Sequence, residues 1–392
     1  MILIDVVLSM AALLLLMPAS LLFLQMILAL LPTKPRPVPS GRRPSVAILM
    51  PAHNEALVLE ETMQSIIPQL APGDRLLIVA DNCSDDTAKI ATASGVEVIE
   101  RFDLERRGKG YALDYGMRHL RSSAPEVVIV IDADCRVSKG VIDRLARTCV
   151  EEGRPIQGLY LMQAPPGASL AVRVAEFAWL VKNHVRPLGF FRIGLPCQLT
   201  GTGMAFPWTV IDKASLGNGH LVEDLKLGID LTRMGKPPLF CPEALVTSVF
   251  PDSAEGTETQ RTRWEHGHLG MIVSEAPGLL MEAVFRRNVS LLALMLDMSV
   301  PPLALLLLAL LALCGTSALI FAVGGSALPL MLTGIALLLI GGTVLGAWWR
   351  FGRHVISLKD LAYAPIYAMR KIPLYVRFVI GKQVGWVRTR RD

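Results

Sequence analysis

The sequence predicts an α/β domain, built on a doubly wound sheet and set between transmembrane helices. Three observations carry this. First, 52% of the 392 residues are hydrophobic and the mean hydropathy is +0.46, more apolar than an ordinary soluble chain. Second, the apolar residues concentrate in two long stretches, Ile2–Leu31 and Leu291–Trp349. Third, between them short apolar runs alternate with segments of helical spacing, the pattern of a parallel sheet wound with helices.

Residues 1–31 are long enough to cross a bilayer, for which roughly 20 residues suffice. Asp5 is the only charge before the apolar core and no cleavage site follows, so the segment reads as a retained transmembrane helix, kinked at Pro18. Residues 32–44 place Lys34, Arg36, Arg42 and Arg43 among prolines, an extended linker on the cytoplasmic side.

Residues 45–288 form the cytoplasmic domain. Ser45–Met50, Leu76–Ala80 and Val96–Glu100 read as strands. Ala56–Ile67, Asp85–Ala93 (capped by Ser84), Lys109–Leu120 and Lys139–Val150 read as helices. In Val127–Cys135 five β-branched residues run into Asp132 and Asp134, a buried strand carrying two carboxylates at its C-terminal end. That is the end where open α/β sheets bind ligands. Side chains at i and i+2 of an extended segment face the same way, so the pair can hold Mg²⁺ or Mn²⁺; a solvated turn is the alternative. Ser169–Val185 is a helix, either in the membrane interface or packed on the domain. Gln198–Phe206 reads as a strand and close-packed turn, and Glu223–Met234 and Glu258–His268 as helices.

Residues 289–349 contain two spans, divided at Gly315–Ser317 or at Gly324–Ala327. They hold no Lys or Arg, while Arg286, Arg287, Arg350 and Arg353 flank them, so both ends are expected in the cytoplasm. Asp297 is either a buried charge or a boundary charge. Residues 350–392 interleave Tyr363, Tyr367, Tyr375 and Trp386 with Arg370, Lys371, Arg377 and Lys382, which suits the headgroup region.

The net charge of +5 sits beside apolar stretches, which favours membrane lipids as partners over nucleic acid. The six cysteines (83, 135, 149, 197, 241 and 314) show no Cys-x-x-Cys spacing and fit reduced, cytosolic thiols.

Several residues carry chemistry. Pro51-Ala52-His53-Asn54-Glu55, Asp81-Asn82-Cys83-Ser84, Asp132-Ala133-Asp134, Glu223-Asp224 and Gln260-Arg261-Thr262-Arg263-Trp264 follow one another along the chain. Each has a plainer reading. Glu223-Asp224 suits a helix dipole, Lys109 a solvated helix start, and Gln260–Trp264 an interfacial helix with a Trp anchor. His266 and His268 lack the further ligands of a zinc site.

Together, in this order, the motifs resemble those of membrane-integrated family-2 glycosyltransferases, among them cellulose, chitin, hyaluronan and poly-N-acetylglucosamine synthases and ceramide glucosyltransferases. The resemblance covers about Ser45–Gly270. It implies a GT-A fold and inverting transfer from a nucleotide sugar, usually UDP-linked. Asp81 would meet the uridine, Glu55 would share its pocket and Lys109 would neutralise phosphate. Asp132 would hold the ribose side and, with Asp134, the metal. Asp224 would be the base, Gln260 and Arg263 would hold the diphosphate, and Trp264, Thr202 and Glu223 would serve the acceptor. The sequence departs from the family in having one Asp at the Asp81 motif, Val222 before Glu223, and about three spans.

The chemistry fits these residue types. A one-step displacement needs a base for the acceptor hydroxyl and cations for the departing diphosphate. Arg offers a fork for phosphate oxygens, and Trp a flat face for a sugar. The expected product is a growing polysaccharide, made by a multi-pass inner-membrane enzyme, with export or synthase subunits as further partners. The alternative is one sugar added to a lipid or lipid-linked acceptor. A non-catalytic sugar-nucleotide sensor would need no base.

Overall fold

The computed structural model describes residues 1–32, 36–217, 222–251 and 254–381. Lys34 of the linker and Lys382 and Trp386 of the tail lie outside them. The chain divides into two compact units. Among the described residues, one is α/β and draws on residues 36–165 and 195–263; the other takes in Met1–Pro32, Pro166–Gly194 and residues 264–381. Residues 166–194 and 264–288, read from the sequence as part of the cytoplasmic domain, thus cluster with the apolar helices.

The α/β unit is built on an eight-stranded sheet. Its strands are β1 (Val46–Ala52), β2 (Arg75–Asp81), β3 (Glu97–Arg101), β4 (Val127–Val130), β5 (Arg136–Val137), β6 (Ile156–Gln163), β7 (Met204–Pro207) and β8 (Leu239–Val249). The order is β3-β2-β1-β4-β7-β6-β8-β5. Strands β1 to β4 are mutually parallel, as their apolar runs predict, with Leu49 opposite Leu77 on one side and Val130 on the other. Strand β7 pairs antiparallel with β4 and β6, so the whole sheet is mixed. Strands β5, β6 and β8 are additions to the sequence-based reading; Pro242 in β8 and the register shift at Gly158/Leu159 break the pattern that would reveal the longer two.

One face of the sheet packs on the helix Lys109–Leu120, found at its expected bounds. Leu113, Met117 and Leu120 meet Leu49, Leu77, Val79 and Val128 in a closed core. Gly116 permits the close approach: a side chain there would run into Leu49 and come within 2.9 Å of Val79. Other helices start later than expected. The one predicted over Asp85–Ala93 is Thr87–Ala93, and Ser84 is not its cap. Instead Asp85 Oδ1 accepts from Thr87 N at 3.0 Å, while Ser84 N is held by Asn54 Oδ1 at 2.7 Å. The linker is pinned to this unit, with Arg43 at 2.5 Å from Asp74 and Arg42 at 2.6 Å from Glu126.

The second unit is helical. Three of its helices are long and apolar enough to cross a membrane: Ile2–Ala29, Leu303–Ala322 and Leu328–Gly352. The first runs unbroken through Pro18. The chain turns between the other two at Gly324–Ala327, and Gly315–Ser317 lies within a helix. Ala19 and Leu22 of the first span pack on Leu306 and Leu310 of the second and on Ala336 and Ile340 of the third. Asp5 Oδ1 accepts from Ser326 N at 3.0 Å, so the start of the first span and the turn of the hairpin share one end.

The helix read over Glu258–His268 extends over Ala254–Phe285, because the apolar residues after His268 continue it past Gly270 and Pro277. Asp297 belongs to a separate short helix, Val289–Met298, and is buried. It accepts from Gln25 Nε2 at 2.7 Å and from Arg186 Nη2 at 2.8 Å, which decides in favour of a buried, paired charge. Gln25 lies where Gly189 leaves no room for a side chain. His266 and His268 face backbone carbonyls, of Leu374 at 3.0 Å and Met298 at 2.8 Å, and burial lowers the pKa of His268 to about 3. Both are packing residues.

Candidate active site

The parallel strands deliver their carboxylates to one edge of the sheet. Asp81 closes β2, Glu55 follows β1 and Asp132 follows β4. Because β1 lies between β2 and β4, the chain winds in opposite directions on its two sides, which opens a crevice beyond the strand ends.

Asp132 and Asp134 do not sit on an extended segment. The strand stops at Val130, and Asp132 O accepts from Cys135 N at 3.1 Å in a turn. The turn still keeps the two carboxylates within electrostatic reach: burial and then Asp134 and Asp224 raise the Asp132 pKa, against the pull of Lys109. A half-buried pair of hard carboxylate oxygens fits a small divalent cation, which usually takes one or two carboxylates and completes its shell with water and phosphate. Among the described residues there is no cage of three or more His, Cys, Asp or Glu.

Lys109 is the first residue of its helix. Its Nζ lies 2.5 Å from Asp132 Oδ1 and donates to Gly201 O at 2.7 Å. Burial favours its neutral form, but Asp132, Glu223 and Asp224 outweigh this and keep its pKa above the ordinary lysine value. Gly201 has φ +89°, and its Cα faces the charged groups. A Cβ there would stand 3.3 Å from Lys109 Nζ, 3.5 Å from Asp224 Oδ2 and 3.9 Å from Asp132 Oδ2. A cation and two carboxylates from three separate segments therefore surround one point.

Glu223 and Asp224 open the helix Glu223–Arg233, where the helix dipole favours negative charge. With Lys109, Ser215 and Leu216 they line a pocket. Burial, reinforced by Asp224 and opposed by Lys109, raises the Glu223 pKa to about 7. The charge of Arg263 also acts on Glu223, so that part of the Gln260–Trp264 motif reaches the same region. Gln260 is buried on the same helix. Trp264 begins the other unit, where its ring lies 4.8 Å from that of Trp179.

Thr202, expected on the acceptor side, is fully buried. Its hydroxyl accepts from Asp132 N at 3.0 Å and its carbonyl from Gln157 Nε2 at 2.9 Å, so it positions the Asp132 turn and has no surface to offer an acceptor.

Two asparagines join the loops at the sheet edge. Asn54 and Asn82 both have positive φ, 54° and 52°, which Asn tolerates better than most residues. Asn54 Oδ1 takes Ser84 N, tying the β1 loop to the β2 loop. Asn82 Oδ1 takes Asp103 N at 2.8 Å and its Nδ2 donates to Asp103 O at 3.1 Å, tying the β2 loop to the β3 loop. Glu55 joins the first clasp through its backbone N–H, which donates to Thr87 Oγ1 at 2.8 Å. Both asparagines belong to the quoted motifs, and their αL tendency was the available signal. Arg101, which pairs with Asp81 at 2.6 Å, gave no such signal, because topology alone brings it in, whereas Gly201 lies in the segment read from the sequence as a close-packed turn.

The chain is similar in sequence and fold to known proteins. Residues 44–267 match the sequence profile described as "Glycosyltransferase like family 2". A probable glycosyltransferase of Bacillus subtilis, YdaM, is 27% identical over 247 residues, covering 57% of this chain and 55% of that one. The glucosyl-3-phosphoglycerate synthase of Mycobacterium tuberculosis is 34% identical over 97 residues, 23% of this chain and 29% of that one. The chain thus spans about half the length, or less, of these relatives. Among solved structures, the mannosyltransferase PcManGT from Pyrobaculum calidifontis, determined with GDP-Man and Mn²⁺, superposes with a TM-score of 0.57 at 17% identity. That alignment covers 93% of this chain and 98% of PcManGT and bears on the fold, which is GT-A-like. With the profile spanning more than half of the sequence, the chain belongs to glycosyltransferase family 2.

Proposed function

We propose that this protein is an inverting glycosyltransferase that moves a sugar from a UDP-linked donor to a growing polysaccharide at the cytoplasmic face of the membrane. The observation that carries the reading is the convergence of Lys109, Asp132 and Asp224 on one point beside Gly201. Such a site holds a base and a phosphate-neutralising cation within one sugar's breadth.

Asp224 takes the proton from the acceptor hydroxyl as that oxygen attacks the anomeric carbon. Lys109 and Arg263 stabilise the charge that develops on the leaving nucleoside diphosphate, and Gln260 helps to hold it. Asp81 and Glu55 bind the nucleoside. Asp132 and Asp134 hold Mg²⁺ or Mn²⁺, which when bound supplies Lewis-acid stabilisation of the diphosphate. Glu223 and Trp264 serve the acceptor, with Trp179 backing the Trp264 ring. Thr202 and Gly201 set the positions of Asp132 and Lys109.

The membrane placement is supported by the basic residues flanking the apolar helices and by the Asp5–Ser326 contact, which puts the first helix's start and the hairpin turn at one end. A second reading, transfer of a single sugar to a lipid or lipid-linked acceptor, is favoured by the modest number of spans, three among the described residues.

Purified full-length protein in nanodiscs, given Mn²⁺ and a panel of UDP- and GDP-sugars with membrane extract, should release nucleoside diphosphate. A ladder of product lengths supports polysaccharide extension, and a single lipid-soluble product supports the second reading. No release with any donor would contradict both.

A further inference from the structure

We propose that Arg101 selects the base of the sugar donor: it occupies one oxygen of Asp81, and the single acceptor left suits the lone imide N–H of uracil and leaves guanine one donor short. This rests on the reading that Asp81 faces the base of a nucleotide sugar.

Asp81 is buried at the end of β2. Its Oδ1 accepts from Arg101 Nη1 at 2.6 Å and from Asn82 Nδ2 at 3.1 Å. A carboxylate oxygen has about two acceptor sites, so Oδ1 is full. Oδ2 receives no bond from the described residues.

Arg101 is not placed to give way. Its Nη2 donates to Asp103 Oδ2 at 3.0 Å and to Arg106 O at 2.7 Å. The guanidinium lies 5.7 Å from the centre of the Tyr111 ring, and its side chain is only 9% exposed. Swinging it off Asp81 would strand a buried cation beside a buried anion, which is costly. Asn82 is held as firmly, since the same amide clasps Asp103.

The bases differ in what they ask of such a carboxylate. Uracil presents one N–H at N3, between two carbonyls, and Oδ2 satisfies it. Guanine presents two adjacent donors, N1–H and the 2-amino group, which need both oxygens of a carboxylate. Adenine N1 and cytosine N3 turn a lone pair towards the anion and are repelled. With Oδ1 filled, guanine is left with one donor desolvated and unmet. One such buried donor costs about 10- to 100-fold in affinity.

The test is calorimetry on the full chain in nanodiscs with Mn²⁺. Wild-type protein should bind UDP about 10- to 100-fold more tightly than GDP. It should bind inosine diphosphate, which lacks the 2-amino group, more tightly than GDP. The N3-methyl derivative of UDP should lose binding. In Arg101→Met both oxygens of Asp81 become available, and the ratio of UDP to GDP affinity should collapse towards one. Should that variant fail to fold, the inosine comparison on wild-type protein decides. GDP bound as well as UDP, or inosine diphosphate bound no better than GDP, would overturn the selector role and leave the donor-site reading standing. Binding of neither UDP nor GDP would overturn the donor-site reading itself, and the selector with it.

Discussion

Replacing Gly201 by Ala tests the centre of the site, because one added methyl group meets all three charged residues. Two costs can be separated. The first is backbone strain: φ at Gly201 is +89°, where a residue with a Cβ pays about 1–3 kcal/mol. The second is crowding. The Cβ would stand 3.3 Å from Lys109 Nζ, closer than a methyl and an ammonium pack comfortably. Lys109 has a flexible stem and would yield, giving up its bond to Gly201 O or its 2.5 Å contact with Asp132. A hydrogen bond made by a charged group contributes roughly 1.5–3 kcal/mol. Gly73 provides the control. Its φ is +90° but a Cβ there meets nothing within 4 Å, and it precedes β2, away from the strand ends that bear the site. Gly73→Ala should therefore lose stability and keep its rate. Gly201→Ala should lose similar stability and also about 10- to 100-fold in kcat/KM, the rate equivalent of the lost bond. Thermal unfolding in detergent measures the first cost, and initial rates of nucleotide release measure the second. Equal rates in the two variants would refute the placement of Lys109, Asp132 and Asp224 around Gly201.

Three further outcomes are expected of the protein. Glu223, with its pKa raised to about 7, keeps a proton in the folded protein that the unfolded chain gives up near 4.5, so its contribution is complete below about 4.5 and disappears as pH rises through 7; the fall in melting temperature over that window should flatten in Glu223→Gln. Thr202→Val removes the acceptor for Asp132 N and should cost about 1–3 kcal/mol, together with weaker Mn²⁺ binding by titration calorimetry; unchanged Mn²⁺ affinity would show that the Asp132 turn holds itself. Arg186→Met leaves Asp297 buried without its cation and should destabilise the helical unit by about 3–5 kcal/mol, whereas the double variant with Asp297→Leu should recover much of that loss in detergent melts.

The sequence was legible where one signal dominated. The β-branched run Val127–Val130 and the apolar run of β1 could only be buried strands, and Lys109–Leu120 carried a clear amphipathic repeat. The three long apolar helices announced themselves by length. Strand β8 was hidden because Pro242 and the neighbouring Glu243 interrupt it. Where two signals competed, the tertiary bond won: Ser84 looked like a helix cap, but its hydroxyl accepts from Asn54 Nδ2 at 3.1 Å and the helix begins only at Thr87. The same holds for Thr202, to which the resemblance gave an acceptor role, whereas the fold turns its hydroxyl onto Asp132 N. The motif carboxylates could be named individually, but not that Lys109 would bridge Asp132 and Gly201, which lie 69 residues apart in sequence, because sheet order rather than local pattern brings them together.

The base assignment is the claim on which the proposed reaction turns, and Asp224→Asn tests it most directly. The amide keeps the shape of the side chain and most of its hydrogen bonding but cannot take a proton. Donor binding by calorimetry and transfer by initial rate should be measured on the same nanodisc preparation. Near-native donor affinity is expected with turnover lowered by about 10²–10⁴-fold, since the interaction is needed only in the transition state. Transfer at the native rate would reduce Glu223-Asp224 to a charge pair at a helix start and leave the reaction without its base.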